Sequence, residues 1–356
     1  MNKIRFPKHQ QKSFYEALRS RIYACKDIPS LLARAKKMMV VKLAFYLSLY
    51  VSLYFFTLFI APESTSGFML SYAMFGLSGI LLAFNAAHDS AHGTFPGGKR
   101  INRIIFRFTF NINGVNGYLW KKRHIASHHL FPNVDGCDAD IDENLLLRLS
   151  PSHRKRSIHR FQYLYASFLY MAYTLHWIFY KDFRYLFMKE FSNLKKIRHP
   201  KKEIFYFILW KMIYFSVYIF LPMIAGHSIQ QVLISFLVMH VIISLVFVWT
   251  LIVSHLTMET AFPVQNKEGI LPFNFYEHQL ATAMDYRPRS IAMNWLVGGF
   301  NAHAAHHLFP KWPHTMYRHI TFCIQRTAAV YQMPYHSKTF IGALQSHYAY
   351  LKVMGR

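Results

Sequence analysis

Acidic side chains are scarce in this chain. Asp and Glu total 16 against 41 Lys and Arg, a formal net charge of +25 with His neutral. Such a charge could point to nucleic acid, but no basic recognition motif accompanies it, so no nucleic-acid partner is expected. It reads instead as membrane topology, attraction to anionic lipid headgroups and affinity for an acidic protein. Cysteine is nearly absent too. Cys25, Cys137 and Cys323 stand alone with no CxxC spacing, which excludes a zinc ribbon or an iron–sulfur site. The first 20 residues are polar and basic rather than apolar, so no cleavable signal peptide is expected. Internal repeats and low-complexity tracts are also missing.

Long apolar runs, by contrast, are plentiful. Residues 43–61, 68–87, 204–226 and 232–253 each approach the ~20 residues a helix needs to cross the hydrocarbon core. The predicted class is therefore an all-α integral membrane protein with four transmembrane helices. The connectors PESTSG (62–67) and HSIQQ (227–231) lack Lys and Arg, while basic residues crowd 1–42, 97–202 and 254–356. By the positive-inside rule those three blocks are cytoplasmic and both connectors face outward, making residues 1–42 a basic cytoplasmic segment. Residues 163–180, YLYASFLYMAYTLHWIFY, are rich in Tyr and Trp. That composition suits the interface, so interfacial helices are predicted there rather than a fifth span.

Histidine is the conspicuous polar residue, with 21 copies. Three clusters stand out: HDSAH (88–92), HIASHH (124–129) and HAAHH (303–307). On an α-helix, residues three and four apart share a face, so His303, His306 and His307 can converge. His124 and His128 pair likewise, with His129 turned by about 100° toward a second metal. His88 and His92 form a third pair, just after the second apolar run. These eight imidazoles exceed what one ion takes, whereas two ions could share them. Imidazole suits zinc, copper, iron and nickel. A structural zinc site would usually include thiolates, and a zinc hydrolase needs far fewer ligands. Two irons with open positions for dioxygen fit the count best. His153, His159, His199, His227, His314 and His319 lack clustering and read as structural or surface histidines. His240, inside the fourth run, reads as a satisfied core histidine.

The segments AHDSAHG, LWKKRHIASHHLFPNVDGCDADID, RLSPSHRKRSIHRFQYLYA, VFVWTLIVSHLTMETAFP, EHQLATAMDY and GGFNAHAAHHLFP together resemble the membrane fatty acid desaturases, the di-iron enzymes with three histidine boxes. The resemblance covers about residues 80–312 and is nearest to the bacterial acyl-CoA and acyl-lipid branch related to linoleoyl-CoA and front-end desaturases. It implies a fatty acid desaturase domain over 43–356 and a cytoplasmic helical cap carrying the metal site. It implies two irons held by His88 and His92, by His124, His128 and His129, and by His303, His306 and His307. His255 matches the further ligand after the last transmembrane helix, and His278 an outer-shell position. Two departures stand out. His303 occupies the place where front-end members generally carry Gln. FPGG (95–98) is the nearest match to the HPGG of a fused cytochrome b5 domain, so an external donor is implied, such as ferredoxin or cytochrome b5 with its reductase.

The resemblance further implies an inner-membrane enzyme, if bacterial, that uses dioxygen and two external electrons to place a double bond in a long acyl chain. The chain would be linked to CoA, acyl carrier protein or phospholipid. Lys121, Lys122, Arg123, Arg154 and Arg156 could hold the anionic carrier, or serve only as positive-inside residues. Asp89, Asp135, Asp138, Asp140 and Asp142 could receive ligand N–H groups, although an acidic surface turn is the expected role of the last four. The neutral imidazoles are expected to leave the metal charge uncompensated. An acyl-chain or lipid hydroxylase on the same scaffold is the nearest rival. A metal transporter would place ionisable residues along the spans, where only Lys211 and His240 lie deep.

Overall fold

The computed structural model describes residues 4–7, 12–24, 27–61 and 64–356. Cys25 and the first two residues of the 62–67 connector lie outside the described residues. The chain divides into two compact units: residues 1–37, 123–166 and 250–356 form one, and residues 38–122 and 167–249 the other. The fold is mostly helical. Four helices among the described residues are long and apolar enough to cross a membrane: Ile28–Phe59, Thr65–His92, Lys201–Ile224 and Ile229–Ile252.

The first of these begins well before the apolar run at 43, because the preceding Ala, Arg, Lys and Met residues are strong helix formers and Pro29 stands in the first turn, where proline is tolerated. Ser64 starts the second by accepting a hydrogen bond from Gly67 N at 3.3 Å. Its last turn carries His88 and His92, after a π-helical turn at Ala83–Ala87. Gly93 then ends it in the left-handed conformation, φ +78°. The Tyr- and Trp-rich stretch is not one long helix. It breaks at Ala172, between Gln162–Met171 and Tyr173–His176.

In the unit 38–122/167–249 the apolar helices meet closely. A Cβ on Gly76 would collide with Met239 Cγ, so Gly lets helices 65–92 and 229–252 approach there. Two of its buried ionisable side chains, Lys211 and His240, are paired. Lys211 Nζ donates to Gly114 O (2.7 Å), Ile178 O (2.7 Å) and Asp182 Oδ2 (2.8 Å). Asp182 also accepts from Asn116 N and the Trp177 indole N–H. His240 is bonded at both ring nitrogens, by Thr174 Oγ1 (2.8 Å) and Tyr214 OH (2.6 Å), the satisfied core histidine its position predicts.

The other unit packs helix Lys12–Tyr23 on helix Tyr317–Val330. Phe14, Leu18 and Ile22, one apolar stripe, bury against a core that includes Ile320 and Ile324. Two short parallel strands, Met284–Tyr286 and His336–Lys338, interrupt the expected all-helical pattern. Helix Phe340–Gly355 is fastened by Arg148 Nη1 to Met354 O (2.9 Å) and Gln162 Nε2 to Leu351 O (2.8 Å).

Candidate metal centre

The second box sits where helix Gly117–Arg123 passes into a π-helical turn, His124–His128. His129 N bonds His124 O at 2.9 Å, an i→i−5 bond. That extra residue per turn adds to the α-helical expectation. His124 and His128 still stack, with ring centroids 5.6 Å apart, but His129 also faces His124, with their Nε2 atoms 3.0 Å apart. His128 also reaches a different group.

That group is His128, His255, His303 and His307, all buried, with ligand atoms within 4.8 Å of one another. His303 and His307 come from the short helix His303–Leu308 and stand one turn apart, with Nε2 atoms at 3.1 Å. His255 follows the end of helix Ile229–Ile252, and its Nε2 lies 2.6 Å from His303 Nε2 and 3.2 Å from His307 Nε2. The His128 ring stands edge-on to His255, centroids 4.6 Å apart. His306 turns away from its two box neighbours and stacks on His124 (5.8 Å), with His129 4.5 Å off at a steep angle. Each of these two boxes thus divides between two groupings. His88 and His92 lie in the other unit, one turn apart, with ring centroids 5.2 Å apart.

The outer nitrogens decide the chemistry. His255 Nδ1 meets Thr282 O at 2.8 Å, and a carbonyl only accepts, so Nδ1 carries the proton. His128 Nδ1 donates to Asp138, 3.1 Å from both carboxylate oxygens, and His307 Nδ1 to Gln279 Oε1 at 2.8 Å. With those protons outward, the Nε2 atoms of His255 and His307 present lone pairs, to each other and to His303 Nε2, over 2.6–3.2 Å. The lone pairs of His255 and His307, 3.2 Å apart and buried, repel, and a cation between them turns the repulsion into coordination. The donor set therefore fits a metal ion with imidazole affinity. Burial keeps the rings neutral, pushing the His255 pKa down to about 3 and that of His307 well below its ordinary value. For His128 burial acts the same way, but the charge and hydrogen bond of Asp138 outweigh it and raise its pKa.

Several residues do more than their sequence context suggests. Asp138 is no surface carboxylate: it is 1% exposed and also accepts from Asn133 N and Asp140 N, both at 2.9 Å. Asp138 thus brings a buried carboxylate to the ring of His128. Asn133, with φ +59°, donates to His255 O (2.9 Å) and Ala261 O (3.0 Å), linking the turn after the second box to the segment that follows helix Ile229–Ile252. Gln279 bridges boxes, since its Nε2 also donates to His129 O at 3.3 Å. His278 takes no part in either histidine grouping. Its Nε2–H donates to Pro132 O at 3.1 Å. Tyr317 OH lies 3.2 Å from His306 Nδ1. Among these, Asp138 and His278 carry a sequence signal, the first as a candidate acceptor of a ligand N–H and the second through EHQL.

The remaining candidates scatter. Arg123 is buried and pairs with Asp140. Lys121 and Lys122 lie over the rings of Phe106 and Tyr118, at 5.5 and 5.4 Å. Arg154 and Arg156 are exposed. Asp135 is spent on His153 (3.1 Å), Asp89 is buried in the His88–His92 turn, and Asp142 is half-buried. His159, His199 and His227 make hydrogen bonds to Leu145 O, Tyr118 OH and Leu58 O, as structural histidines should.

Known proteins match this chain along nearly its whole length. The pattern of the family described as fatty acid desaturase matches residues 64–339. The sn-1 linoleoyl-lipid 6-desaturase of Arthrospira platensis is 27% identical, covering 96% of this chain and 92% of the relative. The enzyme of the same description from Synechocystis sp. is 26% identical, over 98% and 97%. The acyl-lipid (8-3)-desaturase of Physcomitrium patens is 26% identical, over 97% of this chain and 72% of its own length.

Proposed function

We propose that this chain, which belongs to the fatty acid desaturase family, works through two iron ions held by nine histidines at the cytoplasmic face of a membrane. It is an oxidoreductase that introduces a double bond into a fatty acyl chain. One iron would be held by His128, His255, His303 and His307. The other would be held by His124, His129 and His306 together with His88 and His92, the first-box residues that the family resemblance supplies. When bound, the iron pair supplies dioxygen-dependent oxidation, the chemistry needed to take two hydrogens from unactivated adjacent methylenes, which no side-chain acid or base can remove.

The chain's own groups prepare that site. Asp138, Gln279 and Thr282 O hold ligand Nδ1 protons outward, so each Nε2 stays a donor. Burial keeps bulk water and stray protons from the imidazoles. The four apolar helices would span the membrane, with residues 1–42 and the block 254–356 on its cytoplasmic side and the 163–180 helices at the interface. The relatives' names favour a lipid-linked acyl chain over a CoA or carrier-protein thioester. They differ in position, 6 against 8-3, so the site of the new double bond is read from product. The two electrons come from an external donor such as ferredoxin or cytochrome b5.

The observation that carries this reading is the convergence of three Nε2 atoms over 2.6–3.2 Å, two with their Nδ1 protons already given away. Expression in a host with simple lipids, with double bonds mapped by mass spectrometry, tests it. New unsaturated chains that vanish in His124→Ala are expected, with two irons per purified chain. Hydroxylated chains in their place would return the rival oxygenase.

A further inference from the structure

The third box stands on a helix too short to hold itself. His303–Leu308 has six residues, and its N-cap, Ala302, offers no side chain to the first-turn amides. The acceptor comes from a distant strand. Asp285, in Met284–Tyr286 and 0% exposed, accepts from Ala304 N at 2.9 Å through Oδ1. Its Oδ2 accepts from Tyr335 OH at 2.6 Å, and Tyr335 OH in turn accepts from Gln325 Nε2 at 3.2 Å. Strand pairing explains the meeting: Asp285 lies in register with Ser337, so Tyr335 arrives just ahead of the partner strand.

The neighbouring residues of this strand segment hold adjacent parts of the site. Met284 N bonds Ser254 O (2.8 Å), next to His255, and Tyr286 N bonds Asn301 O (3.0 Å), just before the third box. An uncharged Asn of the same shape could still accept from Ala304 N through its oxygen and, with that bond reversed, donate from its amide nitrogen to Tyr335 OH. A buried carboxylate costs free energy that an amide does not, unless a positive charge answers it. None of the partners just named is cationic. The charge is therefore superfluous for capping and suits a cation held one residue away, by His303 and its partners.

We propose that Asp285 is a positioning residue for the metal group: its carboxylate fixes the first turn of the third box and its negative charge offsets the bound cation, with Tyr335 as the clamp. This rests on the two-iron reading above. It predicts that charge, beyond geometry, matters at this position.

The test uses the full chain, stripped of metal in detergent and titrated with Co2+, whose visible absorption reports coordination. The unsubstituted chain binds two Co2+. Asp285→Asn, which keeps the shape and the acceptor for Ala304 N but removes the charge and reverses the bond with Tyr335, is expected to weaken one of the two sites by about tenfold or more and to alter its absorption. The melting temperature of the metal-free protein should stay within a few degrees of the parent's. Tyr335→Phe keeps the charge and should weaken the same site by a smaller factor. Asp285→Asn binding both ions as tightly as the parent overturns the proposal. So does a Tyr335→Phe effect larger than that of Asp285→Asn, which would make the clamp alone decisive. If the unsubstituted chain binds no Co2+ and forms no desaturated product, the two-iron reading falls, and Asp285 has no metal group to serve.

Discussion

His240 and His255 are both buried, fifteen residues apart, one within helix Ile229–Ile252 and the other just past its end. Their surroundings differ in one respect that decides what each can do. His240 is closed: a hydroxyl occupies each ring nitrogen, at 2.8 and 2.6 Å. His255 spends only Nδ1 on an oxygen and turns Nε2 toward two other Nε2 atoms. Burial alone therefore does not mark a ligand. A buried imidazole becomes one when its outer nitrogen is anchored and its inner one meets only other donors.

The sharpest way to break this comparison is to exchange the fates of the two. His255→Ala should abolish desaturation and remove at least one iron per chain, measured by elemental analysis of purified protein. His240→Ala should keep both irons. Loss of iron from His240→Ala alone would refute the distinction. A large structural effect is expected at Lys211. Lys211→Met leaves Asp182 buried without its cation, a loss of about 3–5 kcal/mol by the usual cost of breaking a buried pair. Thermal denaturation in detergent should show it, and adding Asp182→Asn should restore part of the loss.

Next in size is the outer anchor. Asp138→Asn leaves His128 without its carboxylate and should lower metal affinity or activity about 10–100-fold, read by metal titration. His347 supplies the smallest effect. Burial holds its pKa at about 4 despite the bond from Nδ1–H to Leu256 O at 2.7 Å. The unfolded value is about 6.5, so between these limits the unfolded chain binds more protons than the folded one. The contribution from keeping His347 neutral is thus complete above about pH 6.5 and fades as pH falls toward 4. His347→Gln should flatten the fall in melting temperature over that window. An unchanged slope would show that His347 is not the group responsible.

Much of this was legible in the residues. Four helices long and apolar enough to cross a membrane could be read because sustained apolar composition over ~20 residues marks them. The histidine boxes could be read because clusters of one rare polar residue announce a shared task. The division of labour inside the boxes could not. The π-helical turn at His124–His128 brings His129 as well as His128 to His124, and nothing local in HIASHH signals the inserted residue. Asp138 looked like part of an acidic turn, since Asp is common in turns and only burial distinguishes this one. The break at Ala172 was also invisible in an unbroken aromatic run.

By itself, then, the sequence determined the chemistry available: imidazoles in three groups, apolar helices to anchor them, and a shortage of thiols that leaves nitrogen as the donor. Tertiary structure decided which imidazoles face one another and which way their protons point. Those depend on acceptors supplied by residues far along the chain: Thr282 O for His255, Gln279 Oε1 for His307 and Asp285 Oδ1 for Ala304 N. Tautomer and orientation are properties of contacts, and contacts between distant segments exist only once the chain has folded.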